Sequence, residues 1–207
     1  DAYREAGTVR SQCPRQGLGM GAVIPDNFKK MKLDKLTFAC SLKESVKALG
    51  LLTKKVKVHI EFGTGMARQG VSMGKLDDFL MLIKQHSNIE VNGVMSHLAD
   101  ADNPENEIYV SEQTKKFDRA VEQVRSHGFD PRWIHLAQSA GSTRPQSKYV
   151  NAVRPGIALY GINPLAPSDS KFEQLQKTKP VMSVWSRISA VQELQKGDSV
   201  GYGRTFT

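Results

Sequence analysis

The sequence predicts an α/β fold with a parallel sheet, on three observations. Six short apolar runs recur along the chain, at residues 18–24, 36–40, 56–62, 89–98, 133–137 and 153–160. Helical or connecting segments separate them, two with apolar residues at clear i, i+3, i+4, i+7 spacing. The runs are largely continuous and apolar, as expected for parallel strands buried on both faces.

The elements follow in order. Residues 1–7 end at Gly7, as helices often do. Pro25 stops the run 18–24. After the run 36–40, Ser41 precedes Glu44 by three residues, the capping-box spacing that starts a helix, with Val46 and Leu49 facing inward. The run 56–62 alternates, and the loop Gly63-Thr64-Gly65-Met66 follows it. A helix over 75–86 is predicted by the stripe of Leu76, Phe79, Leu80 and Ile83. A helix over 111–126 repeats that spacing with Phe117, Ala120, Val121 and Val124, and Gly128 stops it.

After Gly161 the character changes. Residues 163–179 are rich in Pro, Ser, Lys and Gln and read as a linker. Residues 180–194 alternate, with Val181, Ser183, Trp185, Arg187, Ser189 and Val191 on one side, and a turn at 197–203 leads into more strand. The expected division is a βα domain at 1–162, a linker at 163–179 and the beginning of a β domain at 180–207.

A chain of 207 residues suits one domain or one and a half. No apolar run is long enough to cross a bilayer, and there is no basic-then-apolar leader. Cys13 and Cys40 make neither a metal spacing nor a disulfide framework, which points to reduced thiols in a cytoplasmic protein and to no metal. The formal charge of +8 raises nucleic acid as a partner. However, the clusters Lys29-Lys30-Met31-Lys32 and Lys54-Lys55-Val56-Lys57 carry no interleaved aromatics and read as solvated surface. The chain opens without methionine inside a helix end and stops within a strand-like run, as a fragment of a longer protein would.

Four segments carry unusual residues at strand ends. They are Gly63-Thr64-Gly65-Met66-Ala67-Arg68-Gln69-Gly70, Met95-Ser96-His97-Leu98-Ala99, Gln138-Ser139-Ala140 and Arg154-Pro155-Gly156-Ile157-Ala158-Leu159-Tyr160-Gly161. Active sites of βα barrels lie at such C-terminal strand ends, and the loops after the last two strands often hold a phosphate. Backbone N–H groups beside Ser139 and Gly156 suit an anionic oxygen. Two strand ends with ordinary Gly/Ser turns fit the same stretch. Taken singly, Arg154 fits a surface ion pair, His97 a hydrogen-bonded core histidine and Met66 simple packing.

Together and in this order, the four segments resemble the alanine racemase family, which carries a similar TGM-x-R-x-G loop, a strand ending near SH-x-A, an N/Q-S-A segment and VRPGIALYG. The resemblance runs from about Leu18 to the end, since Ser186-Arg187-Ile188-Ser189 and residues 197–203 look like the opening of that family's β domain. It implies a (β/α)8 TIM-type barrel, with strands three to eight present and the first two missing, followed by the start of a C-terminal β domain. It implies pyridoxal 5′-phosphate as cofactor and two-base interconversion of L- and D-alanine, a peptidoglycan precursor. It also implies a homodimer whose active sites are shared between chains, with no nucleic acid and no membrane as partner. By residue, Arg154 matches the arginine facing the cofactor's pyridine nitrogen. Ser139, Gly156 and Ile157 match groups on its phosphate. Arg68 matches an arginine beside the phenolic oxygen and the substrate carboxylate, with Met66 in the same loop, and His97 matches a histidine behind Arg154 and the ring.

The departures are specific. The family's cofactor-binding lysine lies in a K-A-N/D-A-Y-G type motif, which this sequence lacks. The second base, a tyrosine of the β domain, has no counterpart either, and Tyr202 is not it. A chain without both bases is expected to be inactive alone. Glu61 stands where many members have an often carbamylated lysine, and could supply directly the negative charge that orients Arg68. Alternatives are a pyridoxal-phosphate-binding barrel without racemase activity, or a racemase for serine or lysine.

Overall fold

The computed structural model describes residues 8, 16–21, 23–30 and 36–205. Six strands form one parallel sheet in chain order: β1 (Gly17–Gly19), β2 (Leu36–Cys40), β3 (Val56–Glu61), β4 (Ile89–Met95), β5 (Trp133–Gln138) and β6 (Ala152–Arg154). Each strand pairs with the next in sequence, which is the strand order of one arc of a βα barrel. The helices α1 (Lys43–Gly50), α2 (Leu76–Lys84) and α3 (Glu107–Ser126) lie in the connections, and a short α4 (Phe172–Gln176) follows β6.

The strands are less uniformly apolar than expected, and the exception places the site. Successive strand residues face opposite sides. In β3, Val56, Val58 and Ile60 are buried in the hydrophobic core, while His59 and Glu61, also buried, share the other face. In β5, Ile134 and Leu136 join the core and His135 faces away from them. One side of the arc is therefore hydrocarbon under the helices, and the other carries ionisable groups.

The helix stripes expected from spacing are the buried ones. Leu76, Phe79, Leu80 and Ile83 of α2 are buried, as are Val110, Phe117, Ala120, Val121 and Val124 of α3. Burying each large side chain of this kind contributes roughly 1.5–3 kcal/mol. Both helices have boundaries close to those expected, although α3 begins earlier, at Glu107.

Four local expectations are corrected. Ser41 does not cap α1: the residue before the helix is Leu42, and no side chain bonds the first-turn amides. The run 18–24 pairs only over Gly17–Gly19, and Pro25–Lys30 then forms a 3-10 turn. The run 153–160 is not one strand. Pro155 has no N–H for the ladder, so β6 ends at Arg154 and Ile157–Tyr160 coils into a 3-10 turn. Residues 180–194 form no strand. A strand needs a neighbour for its N–H and C=O groups, and here Val184, Trp185, Ile188 and Val191 are all more than four-fifths exposed.

The stretch 163–179 packs back onto the barrel, with Leu165 buried and Phe172 and Leu175 against the core. Cys40 is a buried free thiol, and burial pushes it up to about 12. Cys13, the expected helix end at 1–7 and the Met31-Lys32 part of the first basic cluster lie outside the described residues. No helix among the described residues is long and apolar enough to cross a membrane.

Candidate active site at the strand tips

Arg154, the last residue of β6, laces three strand ends together. Its Nη1 donates to His135 Nδ1 at 2.6 Å and to the His135 carbonyl at 3.1 Å. Its Nη2 donates to the carbonyls of Ser96 at 2.7 Å and Leu136 at 3.2 Å, and lies 3.4 Å from His97 Nδ1. Arg154 Nε is buried and has no partner. A buried donor without an acceptor is rare and costly. Burial pulls the guanidinium down to about 10, partly offset by the Glu61 carboxylate, so Arg154 is cationic at neutral pH.

The phosphate end is built on Ser139, just past β5. Its Oγ accepts from the amides of Gly156 at 2.9 Å and Ala158 at 3.2 Å. A hydroxyl has two acceptor sites and one donor. Both acceptor sites are taken, which leaves the O–H of the buried Ser139 as a donor. A Cβ placed on Gly156 would meet nothing within 4 Å, so the space over this turn is open. Ile157 is 46% exposed at the start of the 3-10 turn.

The loop after β3 holds Arg68 and Met66. It closes on itself: the Val71 amide donates to the Glu61 carbonyl at 2.7 Å, and the Gly63 amide to the Val71 carbonyl at 2.9 Å. Gly70, at φ 116°, must be glycine, since a Cβ there would lie 2.4 Å from the Phe62 carbonyl carbon. Ala67 also sits at positive φ, 53°, immediately before Arg68. Strained backbone of this kind clusters at functional sites. Arg68 is exposed and Met66 half-buried. Glu61, buried beneath, is raised by burial and held back by the charges of Arg68 and then Arg154.

His97 is half-buried at the end of β4, lowered by burial and then by Arg154 and Arg68. The expected residues Arg154, His97, Glu61 and Arg68 thus interact through bonds or charge, and Ser139 and Gly156 bond each other two residues beyond Arg154.

Sequence reasoning gave no role to five residues of this constellation: His59, His135 and Gln113 went unremarked, and Ser96 and Thr64 were noted only as parts of the strand-end segments. His135 touches Arg154, and its Nε2 lies 2.7 Å from His59 Nδ1. Both rings are pushed down by burial and by Arg154, His59 to about 4 and His135 to about 3. Ser96 donates to the Phe62 carbonyl at 2.7 Å, so Thr64, 2.7 Å away, donates to Ser96. Gln113 of α3, fully buried, accepts from the Ala99 amide at 2.9 Å and donates to the His97 carbonyl at 3.2 Å and Thr64 at 3.3 Å. Inside the arc, Leu18, Thr37, His59, Asn92, His135 and Arg154 line a hollow of about 230 Å³.

Residues 3–164 match the family model described as alanine racemase, N-terminal domain. The chain is 36% identical over 155 residues to the alanine racemase of Citrifermentans bemidjiense, covering 74% of this chain and 40% of that protein. It is 31% identical over 204 residues to that of Geobacter sulfurreducens, covering 96% and 52%. Among solved structures it superposes on the Bacillus anthracis alanine racemase with bound L-Ala-P, at TM-score 0.81 and 28% identity, over 98% of this chain and 53% of that one. The Streptomyces lavendulae enzyme, at TM-score 0.83 and 23% identity over 98% and 54%, shares the fold. The chain spans about half the length of the relatives it matches.

Proposed function

Because the chain belongs to the alanine racemase family, we propose that it supplies the cofactor-holding barrel wall of a pyridoxal 5′-phosphate-dependent racemase acting on alanine. The observation that carries this is the Arg154 Nε, a buried cationic donor with no partner. A pyridine-type ring nitrogen is an uncharged acceptor that suits it. When bound, the cofactor's ring draws electrons from the substrate Cα–H bond, so that the proton can leave and return on the other face.

The residues divide the work. Arg154 meets the ring nitrogen through Nε while its two Nη atoms stay anchored to β4 and β5. An arginine holds its proton, so it orients the ring without protonating it. Ser139 gives its O–H to a phosphate oxygen, over a turn that Gly156 leaves open. Arg68 provides the cation for the substrate carboxylate, Met66 lies two residues before it, and Ile157 sits beside the phosphate turn. Glu61 supplies the negative charge that balances Arg68 and Arg154. His97 packs at the Arg154 end as a neutral ring.

The proton-transfer bases are not assigned to residues of this chain. The complete enzyme is a homodimer with shared sites, and residues 180–207 begin its β domain. The test is absorbance titration of the protein with pyridoxal 5′-phosphate, together with chiral chromatography of L- and D-alanine on the complete enzyme. Saturable binding lost in Arg154→Ala is the expected result. Binding unaffected by that change would overturn the reading.

A further inference from the structure

Two buried histidines lie behind Arg154, and the assigned roles leave one of them unused. His59 sits on β3 and His135 on β5, with β4 between. Side chains from alternate strands share a layer inside a βα barrel. The two rings meet across β4 at 2.7 Å, Nδ1 of His59 against Nε2 of His135. The strand between them carries Gly93, the register partner of His59. A Cβ on Gly93 would lie 2.6 Å from His59 Nε2 and 2.7 Å from two ring carbons. No side chain fits there while the rings touch.

The direction of the bonds follows from arginine chemistry. Guanidinium nitrogens only donate. His135 Nδ1, 2.6 Å from Arg154 Nη1, therefore accepts and carries no proton. A neutral His135 then bears its proton on Nε2 and donates it to His59 Nδ1. His59 in turn is protonated on Nε2 alone.

We propose that His59 is a positioning residue for Arg154: it is the acceptor that completes a one-way donor chain, Arg154 to His135 to His59, and Gly93 is glycine because that chain needs its space. Without His59, the His135 Nε2–H is a buried donor with no acceptor, the ring is free to turn, and Arg154 loses its shortest contact. The low proton affinities agree, His135 at about 3 and His59 at about 4, since a neutral chain beside a fixed cation tolerates no second charge. The consequence for cofactor affinity rests on the function proposed above. The donor chain itself does not.

The test is nitrogen-15 NMR of the histidine rings in the full chain, without cofactor, followed by titration with pyridoxal 5′-phosphate. Both rings should be neutral at pH 7, with bare Nδ1 and protonated Nε2, and the His135 Nε2–H should resonate as a protected, hydrogen-bonded proton. His59→Phe should erase that proton, shift the Arg154 Nε–H resonance and weaken cofactor binding about tenfold. His59→Gln, whose Oε1 can accept, should restore all three to within about threefold of the parent. Gly93→Ala should reproduce the loss with both histidines present. A proton on Nδ1 of either ring, or a doubly protonated ring at pH 7, overturns the proposal. So does a His59→Phe chain that keeps the His135 proton and the Arg154 resonance. A parent chain with the stated tautomers that binds no pyridoxal 5′-phosphate supports the donor chain and overturns only the cofactor reading.

Discussion

Arg144 and Asp169 form an ion pair with both side chains almost wholly out of water, 2% and 0% exposed. Arg144 Nη1 lies 3.3 Å from Asp169 Oδ1, a second bond joins Nη2 to Oδ2, and Nε donates to the Ala101 carbonyl at 2.9 Å. The pair clips the stretch after β6 to the turn that carries Ser139. Removing Asp169 leaves the buried Arg144 charge with only the exposed Glu107 carboxylate, 3.7 Å away, which costs about 3 kcal/mol or more. Asp169→Ala should lower the unfolding free energy read from urea denaturation by that amount, and Arg144→Met with Asp169→Leu should recover most of it. A single variant as stable as the double would refute this account.

Gln113 is the other buried tie. It joins the loops after β3 and β4 through Thr64, the His97 carbonyl and the Ala99 amide. Gln113→Leu keeps the volume but leaves a buried amide and carbonyl unpaired, at a cost of about 2–4 kcal/mol. The expected result is a thermal midpoint several degrees lower in calorimetry, with Gln113→Glu intermediate because its carboxylate still accepts from Ala99.

Much of this arrangement was legible in the chain. The strand arc and the helix stripes follow from apolar spacing, because those side chains are the ones buried. The clustering of Arg154, Ser139 and Gly156 came from motifs rather than from spacing. What escaped was the inner face. In Val56-Lys57-Val58-His59-Ile60-Glu61 the alternation itself puts His59 and Glu61 on one side, and His135 shares a side with Trp133 and Ala137. Gln113 lies four residues before Phe117, on the buried stripe. A polar residue on a stripe of core positions was the available signal. The end of β6 at Pro155 was legible too, since proline removes a ladder donor. The missing cap at Ser41 was not: whether a hydroxyl reaches an amide depends on backbone angles that residue type does not set.

Glu61 is buried and feels the charges of Arg68 and Arg154. Replacing its charge with an amide should leave Arg68 less well oriented and push Arg154 further down. Glu61→Gln is expected to reduce turnover of the complete enzyme about tenfold, more through kcat/KM for alanine than through cofactor affinity, as steady-state kinetics would separate. Full activity in the variant would remove Glu61 from the site.

On the proposed reading, Arg154→Glu would reverse the charge that faces the cofactor's ring nitrogen. A carboxylate there would hold that nitrogen protonated and make the ring a deeper electron sink, whereas an arginine cannot. The ratio of transamination to racemisation should therefore rise, on the order of tenfold, measured by pyruvate formation against D-alanine formation. An unchanged ratio would mean that the charge at this position does not set the partition. His97→Phe is the companion variant, expected to weaken cofactor binding without moving that ratio.

The His59–His135 pair also gives folding stability a pH dependence of definite sign. Both rings are held below the ordinary 6.5, at about 4 and about 3. As pH falls below about 6.5 the unfolded chain takes up two protons that the folded chain refuses. Stability therefore rises with pH across this window and is lost as pH drops toward 4. Glu61 works in the opposite sense, because its raised pKa favours proton uptake by the folded state above 4.5. It is one group against the two rings and His97, which is lowered as well. The urea midpoint should fall between pH 7 and pH 4 by an amount equivalent to a few kcal/mol. In His59→Gln with His135→Gln that slope should shrink, and in Glu61→Gln it should steepen. A midpoint flat from pH 7 to pH 4 in the parent chain would mean that the buried rings accept protons in place, and that the neutral pair behind Arg154 does not persist.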